Sequence, residues 1–489
     1  MKKLGLLDDA FLRLESRRTP LHIGTLMLFE PPPRAGKHFA EQLAARLRQS
    51  NRAAAPFNRR LVQRRGMHYW EEDEEFDLDQ HFAHNSLPQP GRIRELLEMV
   101  SRIHSSHLDR EYPLWRMYLI SGLEDGRIAV YMKIHHSLVD GMAGMRLLLK
   151  SMSTSAATSK ELPPPWEVKT DKSGSQPLPV PTPAGNTLPA LRKLASEGLN
   201  AIVPVLEELR STYSDYRSGN PDLAMFGQAP KTIFNQKISA TRRFAGQSYS
   251  TARIRKVAEA YHATINDVVL AMCASALRQY LVDLGELPPQ SLTAAVPISV
   301  RRPGSDAGNE VAFTMTTLAT NIKDPGERLR AIKSSMDYNK ERLQKLSPGQ
   351  VMAYTAAIMI PGHLGAMLGF GKDHALGNVV ISHVPGPRRP MYWQGAKLAG
   401  IYPISLNIDN GALNITLVSR HDFVDFGLIA CRKSVPRMQR LLEYLENALV
   451  ELESTLKSDR RGAARKPTRK AAARRRVATP RKRNPRRVQ

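Results

Sequence analysis

One junction constrains the fold more than any other part of the chain. Residues 127–134 place Ile128, Val130, Met132 and Ile134 in alternation with other residue types, the period of a strand with one buried face. Residues 142–150, Met-Ala-Gly-Met-Arg-Leu-Leu-Leu-Lys, are rich in good helix formers. Between them stands His135-His136-Ser137-Leu138-Val139-Asp140-Gly141. Two histidines thus fall where a strand ends and a helix begins, the crevice in which open α/β sheets bind their ligands.

A neutral imidazole near pH 7 accepts a proton from an alcohol or amine while that group attacks a carbonyl. Asp140 is placed either to cap the first helical turn or to pair with a buried arginine. Gly141 removes a side chain where backbone must pass closely or take positive φ. A structural histidine pair with a helix cap is the competing reading, and from these residues alone the two weigh about evenly. No nearby Ser or Cys reads as a nucleophile, so a general base acting on the acceptor is preferred to a covalent intermediate.

The rest of the chain mixes strands and helices. Strands are expected at 21–29, 112–120, 292–300, 313–320, 378–382, 413–419 and 426–431. Helices are expected at 39–47, 92–108, 188–216, two within 254–284, and 436–456. The acidic run after Trp70 (Glu71 to Asp77) is expected to be a solvated loop. Residues 152–187 are rich in Ser, Thr and Pro and are expected to form a connector outside any core. The expected layout is an α/β chain with a lobe at 1–151, the connector at 152–187, a second lobe at 188–456 and a disordered basic tail at 457–489. Residues 346–371 carry no charged side chain; with two prolines flanking that run's middle, buried or tunnel-lining helices are expected there rather than a membrane span.

Charge narrows the partners. The formal net charge is +25, yet fourteen Lys or Arg and no acid lie between Arg460 and Gln489, which leaves +11 for the first 459 residues. A moderately basic body suits anionic small molecules or a membrane surface at least as well as nucleic acid. The tail has no aromatic residue, so base stacking is not indicated, and anionic lipid headgroups are favoured over nucleic acid as its partner. Cys273 and Cys431 suggest no disulfide framework or metal cluster and fit a reducing cytosol. The apolar run at Leu4–Leu7 ends at Asp8-Asp9, too early for an export signal.

These residues resemble the bacterial wax ester synthase/acyl-CoA:diacylglycerol acyltransferase family. The resemblance extends beyond the His135–Gly141 motif. It includes an opening with Asp9, Phe11, Leu12, Glu15, Pro20, His22 and Gly24, then Pro113-Leu114-Trp115, Asn266-Asp267, Ala295 to Arg301, and Ser382-His383-Val384-Pro385-Gly386-Pro387. His383 departs from the asparagine usual there. The resemblance implies a two-lobed, chloramphenicol acetyltransferase-like fold with an active-site tunnel between the lobes. It implies that His136 is the general base, with His135 orienting the loop, Asp140 structural and paired with an arginine such as Arg301, and Asn266 supporting the oxyanion. Pro113, Leu114 and Trp115 are expected to pack a strand beside the site. Asp267, Ser382 and Gly386 are expected in structural or substrate-binding places, Gly386 in a tight turn. The implied substrates are acyl-CoA, as co-substrate rather than cofactor, and diacylglycerol or a long-chain alcohol. No metal is implied. A cytoplasmic protein held peripherally at a membrane or lipid-droplet surface follows. The rivals are condensation between carrier-bound substrates, which the chain's lack of a carrier module disfavours, and a non-catalytic lipid- or nucleic-acid-binding protein.

Overall fold

The computed structural model describes residues 1–139, 141–169, 199–299, 311–347 and 377–465, together with 349–358 apart from 352 and 356. Two six-stranded sheets form two lobes, and a small three-stranded sheet flanks the first.

The first large sheet is built on β2 (His22–Glu30) and β7 (Ile128–His135), which pair antiparallel with His22 opposite His135. Strands β6 (Trp115–Ser121) and β5 (Phe82–Ser86) extend it on one side. The other side is completed by β13 (Ala396–Ile404) and β12 (Tyr392–Trp393), which come from the far end of the chain. The first lobe is therefore not a continuous segment of sequence. The small sheet is β1 (Lys2–Lys3), β4 (Met67–Glu72) and β3 (Arg59–Arg64). Glu71 and Glu72 thus lie in a paired strand, not in the loop expected from their charge; their partners Arg60 and Arg59 stand directly across the ladder and supply opposite charge.

Strand β7 is buried along its whole length, which corrects the expectation of a single buried face. Ile128, Val130, Met132 and Ile134 enter a core with α2 (Phe39–Arg48), α4 (Gly141–Lys150) and Trp115. Ala129 and Tyr131 enter a second core under α3 (Ile93–Ser105). Alternation in the sequence marked one face; the other carries Lys133 and His135, buried polar groups whose partners are the end of α3 and the segment around Glu15. The connector is corrected as well. Trp166 is fully buried beside Trp115 and Phe82 and donates its indole N–H to Ser50 O at 3.0 Å, so residues 152–169 pack on the first lobe and place Met152, Trp166 and Val168 in its core.

The second sheet runs in the order β10 (Val311–Thr317), β9 (Thr293–Ser299), β11 (Val379–Pro385), β14 (Leu413–Arg420), β15 (Phe423–Cys431) and β8 (Arg242–Ser250). Against it pack α6 (Thr251–Ala260), α7 (Ile265–Asp283), α8 (Pro325–Gln344) and α9 (Arg440–Arg465). A further helix, α5 (Leu199–Arg217), lies beside α8. Helix α9 continues to Arg465, so residues 457–465 are helical rather than part of a disordered tail; residues 170–198 and 466–489, and most of the uncharged 346–371 stretch, lie outside the described residues.

The lobes are joined by backbone-directed hydrogen bonds. Ser101 and Ser105, one turn apart on α3, accept from the N–H groups of Phe244 and Arg242, both at 2.9 Å, and so satisfy the edge of β8. Asp425 of β15, fully buried, accepts from Ile401 N of β13 at 2.8 Å and from Arg420 at 2.6 Å. Next to it, a Cβ at Gly427 would stand 1.8 Å from Pro403 O. Gly427→Ala is therefore expected to force the sheets apart and to cost at least about 2 kcal/mol. A denaturant melt at neutral pH measures it; a midpoint equal to that of the parent chain would contradict this packing.

Candidate active site

The strand-to-helix junction is pinned by two backbone bonds. His135 N–H donates to Leu114 O at 2.9 Å and His136 N–H donates to Leu21 O at 3.0 Å. The junction is thus tied to the starts of both neighbouring strands. Leu114 and Trp115 are fully buried, and the Trp115 indole donates to Phe57 O at 2.8 Å while stacking on His81. This places the Pro113-Leu114-Trp115 motif as the packed floor on which the histidine loop rests.

The two histidines have different surroundings. His135 is fully buried. Its Nδ1 accepts from the Ser137 N–H at 3.2 Å and lies 2.6 Å from Ser137 Oγ. Since an N–H points at Nδ1, the ring proton belongs on Nε2, which faces Glu15 Oε1 at 3.5 Å, longer than a formed hydrogen bond. Glu15 follows α1 (Leu6–Leu14), is buried, and takes hydrogen bonds from Arg110 at 2.8 Å and from Leu21 N at 3.2 Å. Burial works against its charge, but His135, Arg110 and the Leu21 amide outweigh it and hold the carboxyl down at about 2. Ser137, His135 and Glu15 have the composition of a nucleophile triad. Ser137 is buried, however, and its hydroxyl and amide both lie against His135 Nδ1, so Ser137 is committed within the loop.

His136 is half-buried and stacks on Phe11 of α1, with ring centroids 4.6 Å apart and planes at 27°. Of the pair it is the residue that keeps solvent exposure. Behind it, the polar face of β7 continues with Lys133, which donates to Ile103 O at 3.0 Å and Ser106 O at 2.8 Å at the end of α3. Burial, with Arg116 nearby, pushes its ammonium down to about 7. His22, opposite His135, bonds His104 O at 2.7 Å through Nε2, and burial holds it well below the usual imidazole range. The site thus rests on a buried polar layer rather than on apolar packing alone.

The remaining sequence-derived residues are distributed as follows. Asp140 and Arg301 lie outside the described residues. Gly141 opens α4, and a Cβ there would meet only Ile23 Cδ1 at 3.9 Å, with φ outside the positive range; neither expected reason for glycine holds among the described residues. Asn266, in the first turn of α7, is half-buried and makes no side-chain hydrogen bond among the described residues. Asp267 closes a capping box, accepting from Thr264 N at 2.8 Å while its own N–H returns to Thr264 Oγ1. Ser382 is half-buried on β11. His383 lies 2.5 Å from Ser419 Oγ, and burial lowers it to about 4. Gly386 does not serve a left-handed turn. Its N–H donates to Ser419 O at 2.8 Å, and a Cβ would stand 2.4 Å from Val418 Cγ1, so close approach to β14 requires the glycine. A cavity of about 520 Å³ opens between the lobes at the opposite end of β2, lined by Leu28, Arg127, Ser248 and Tyr402 among others. His136 is not among its lining residues.

Comparison with known proteins places this geometry. The family model described as the wax ester synthase/diacylglycerol acyltransferase catalytic domain matches residues 4–269, and that for the WS/DGAT C-terminal domain matches residues 307–453. The chain is 42% identical over 457 residues to O-acyltransferase WSD of Acinetobacter baylyi, covering 93% of this chain and 98% of that one. It is 40% identical over 460 residues to a probable diacylglycerol O-acyltransferase of Mycobacterium tuberculosis, covering 92% and 98%. The solved wax ester synthase/diacylglycerol acyltransferase from Marinobacter aquaeolei superposes with a TM-score of 0.77 at 41% identity, over 93% of this chain and 99% of that one. The first condensation domain of the calcium-dependent antibiotic synthetase superposes at 0.57 with 14% identity, over 92% and 95% of the two chains, a likeness of fold alone.

Proposed function

The chain belongs to the wax ester synthase/diacylglycerol acyltransferase family and is an O-acyltransferase, and we propose that His136 is the general base of its reaction. In this reading the imidazole takes the proton from the hydroxyl of diacylglycerol or a long-chain alcohol as that oxygen attacks the thioester carbonyl of acyl-CoA. The new C–O bond forms and the tetrahedral oxyanion collapses with loss of the CoA thiolate, which takes its proton from the imidazolium. The oxyanion needs a donor where charge develops; Asn266, with its amide uncommitted among the described residues, is our choice for that task. Asp140 and Arg301 are assigned supporting places, and the reactants meet in a channel between the lobes.

The observation that carries this reading is the division of labour within the histidine pair. His135 is fully buried, with Nδ1 committed to Ser137 and Nε2 turned towards Glu15 at 3.5 Å, whereas His136 is the half-exposed member of the pair. The lipid character of both substrates extends the reading to peripheral attachment at a membrane or lipid-droplet surface; no described helix is long and apolar enough to cross a membrane.

The test supplies purified protein with labelled palmitoyl-CoA and, side by side, a diacylglycerol and hexadecanol. Label is expected in triacylglycerol, wax ester or both, in step with release of CoA thiol. Thiol release with label recovered only as free fatty acid would contradict transfer to a lipid hydroxyl.

A further inference from the structure

Helix α5 is amphipathic in the inverse sense. Its inward side is held by polar groups: Glu208 is buried and ion-paired with Arg342 of α8, Thr212 Oγ1 lies 2.8 Å from Tyr354 Oη, and Asp215 accepts from Tyr338. Val205 and Leu209 complete that contact. The outward side carries Val203, Leu206 and Tyr213 at 46%, 58% and 55% exposure; Tyr216, near the helix end, falls between Val205 and Leu209 in helical angle. Val203, Leu206 and Tyr213 are three of the fourteen large apolar side chains exposed among the described residues, all on one side of a single helix. A surface helix ordinarily turns its apolar side to the core, and an exposed apolar arc of this kind marks an interaction surface.

The chemistry of the arc selects the partner. With 3.6 residues per turn, positions 203, 206, 210, 213 and 217 fall within about 80° of arc, so Arg210 and Arg217, both exposed, stand among the apolar groups. The Arg217 guanidinium lies 5.0 Å over the Tyr213 ring. Glu208 and Asp215 are turned inward, which leaves Glu207, at the edge of the arc, as the helix's one exposed acid. Aliphatic side chains with a tyrosine and arginines are what a helix presents at the level of lipid headgroups, and the positive arc complements an anionic surface.

We propose that the outer face of α5 seats the protein on an anionic lipid surface, with Val203, Leu206 and Tyr213 immersed and Arg210 and Arg217 at the phosphates. The inference rests on the acyl-transfer reading in one respect: acceptors confined to a lipid phase give such a face its use. The orientation holds α5 outward through its polar network with α8, so immersion requires no rearrangement of the helix.

Flotation of the full chain with vesicles of phosphatidylglycerol and phosphatidylcholine tests this. At about 0.5 M salt, where screening is effective beyond roughly 4 Å, the long-range attraction of the basic tail is suppressed and apolar immersion remains. Leu206→Ser with Tyr213→Ser is expected to lower partitioning at least about tenfold there. Arg210→Glu with Arg217→Glu is expected to lower it about tenfold at 0.1 M salt. Both variants alter exposed positions and are expected to keep the parent melting temperature and the rate of palmitoyl transfer to hexanol, a dispersed acceptor that needs no docking. Partitioning within twofold of the parent chain overturns the proposal. So does a parent dimer that the apolar variant converts to monomer by light scattering, because a second copy would then occupy the face. Failure of the parent chain to acylate hexanol or any lipid alcohol strikes the acyl-transfer reading instead and leaves the vesicle result to stand on its own.

Discussion

His136→Ala is expected to lower kcat for acyl transfer about 1,000-fold, within the roughly 10²- to 10⁴-fold that a positioned base contributes. KM for acyl-CoA should change little, since the ring acts on the acceptor proton. The fold should survive. The backbone N–H that bonds Leu21 O is retained in the variant, and the residue replaced is only half-buried, its ring stacked on Phe11. A melting temperature within a few degrees of the parent, measured together with kcat, separates catalysis from stability. A variant with full kcat would return His136 to a structural role.

Glu15→Gln is expected to be the most damaging conservative change near the site. The carboxylate is the counter-ion of Arg110 and faces His135 in a buried position. Arg110 is 41% exposed, so no buried charge is left unpaired; the loss of a buried carboxylate acceptor for Arg110 and the Leu21 amide costs about 1.5–3 kcal/mol. The sign of the pH dependence follows from the carboxyl being held at about 2 in the folded chain against an ordinary 4.5. Between those values the unfolded chain binds the extra proton, so stability falls as pH is lowered through the window. The contribution is fully present above about pH 4.5, where it amounts to roughly 3 kcal/mol, and is lost towards pH 2. Denaturant unfolding at pH 7, 4 and 3 should therefore show the difference between parent and variant shrinking with acidification. A difference that stays constant would show that Glu15 is not the group being protonated. The variant's kcat should also fall, by about tenfold, through misplacement of the loop that carries His136.

The histidine junction was legible because it is local. Strand alternation, helix formers and a motif of seven residues all lie between Arg127 and Lys150, and the structure places that junction as expected. What escaped was contact between distant segments. Glu15 stands 120 residues from His135, and its only sequence signal was membership in the family's opening pattern. The contribution of β12 and β13 to the first sheet leaves no local trace, because their apolar alternation would suit either sheet. Trp166 sits in a Ser- and Pro-rich run whose composition hides one buried aromatic. The acidic residues after Trp70 suggested solvent, but the opposing arginines on β3 allow a strand. Glycines illustrate the same limit. Gly386 and Gly427 are required by backbone from other strands, whereas Gly141, singled out from the motif, has room for a side chain.

The central claim is most directly tested by the pH dependence of kcat/KM for acyl transfer in the parent chain and in the residual activity of His136→Ala. A base that must be unprotonated gives the parent an acid limb that falls about tenfold per pH unit, and the variant should be flat over the same range. The same limb persisting in His136→Ala would place the essential base on another residue.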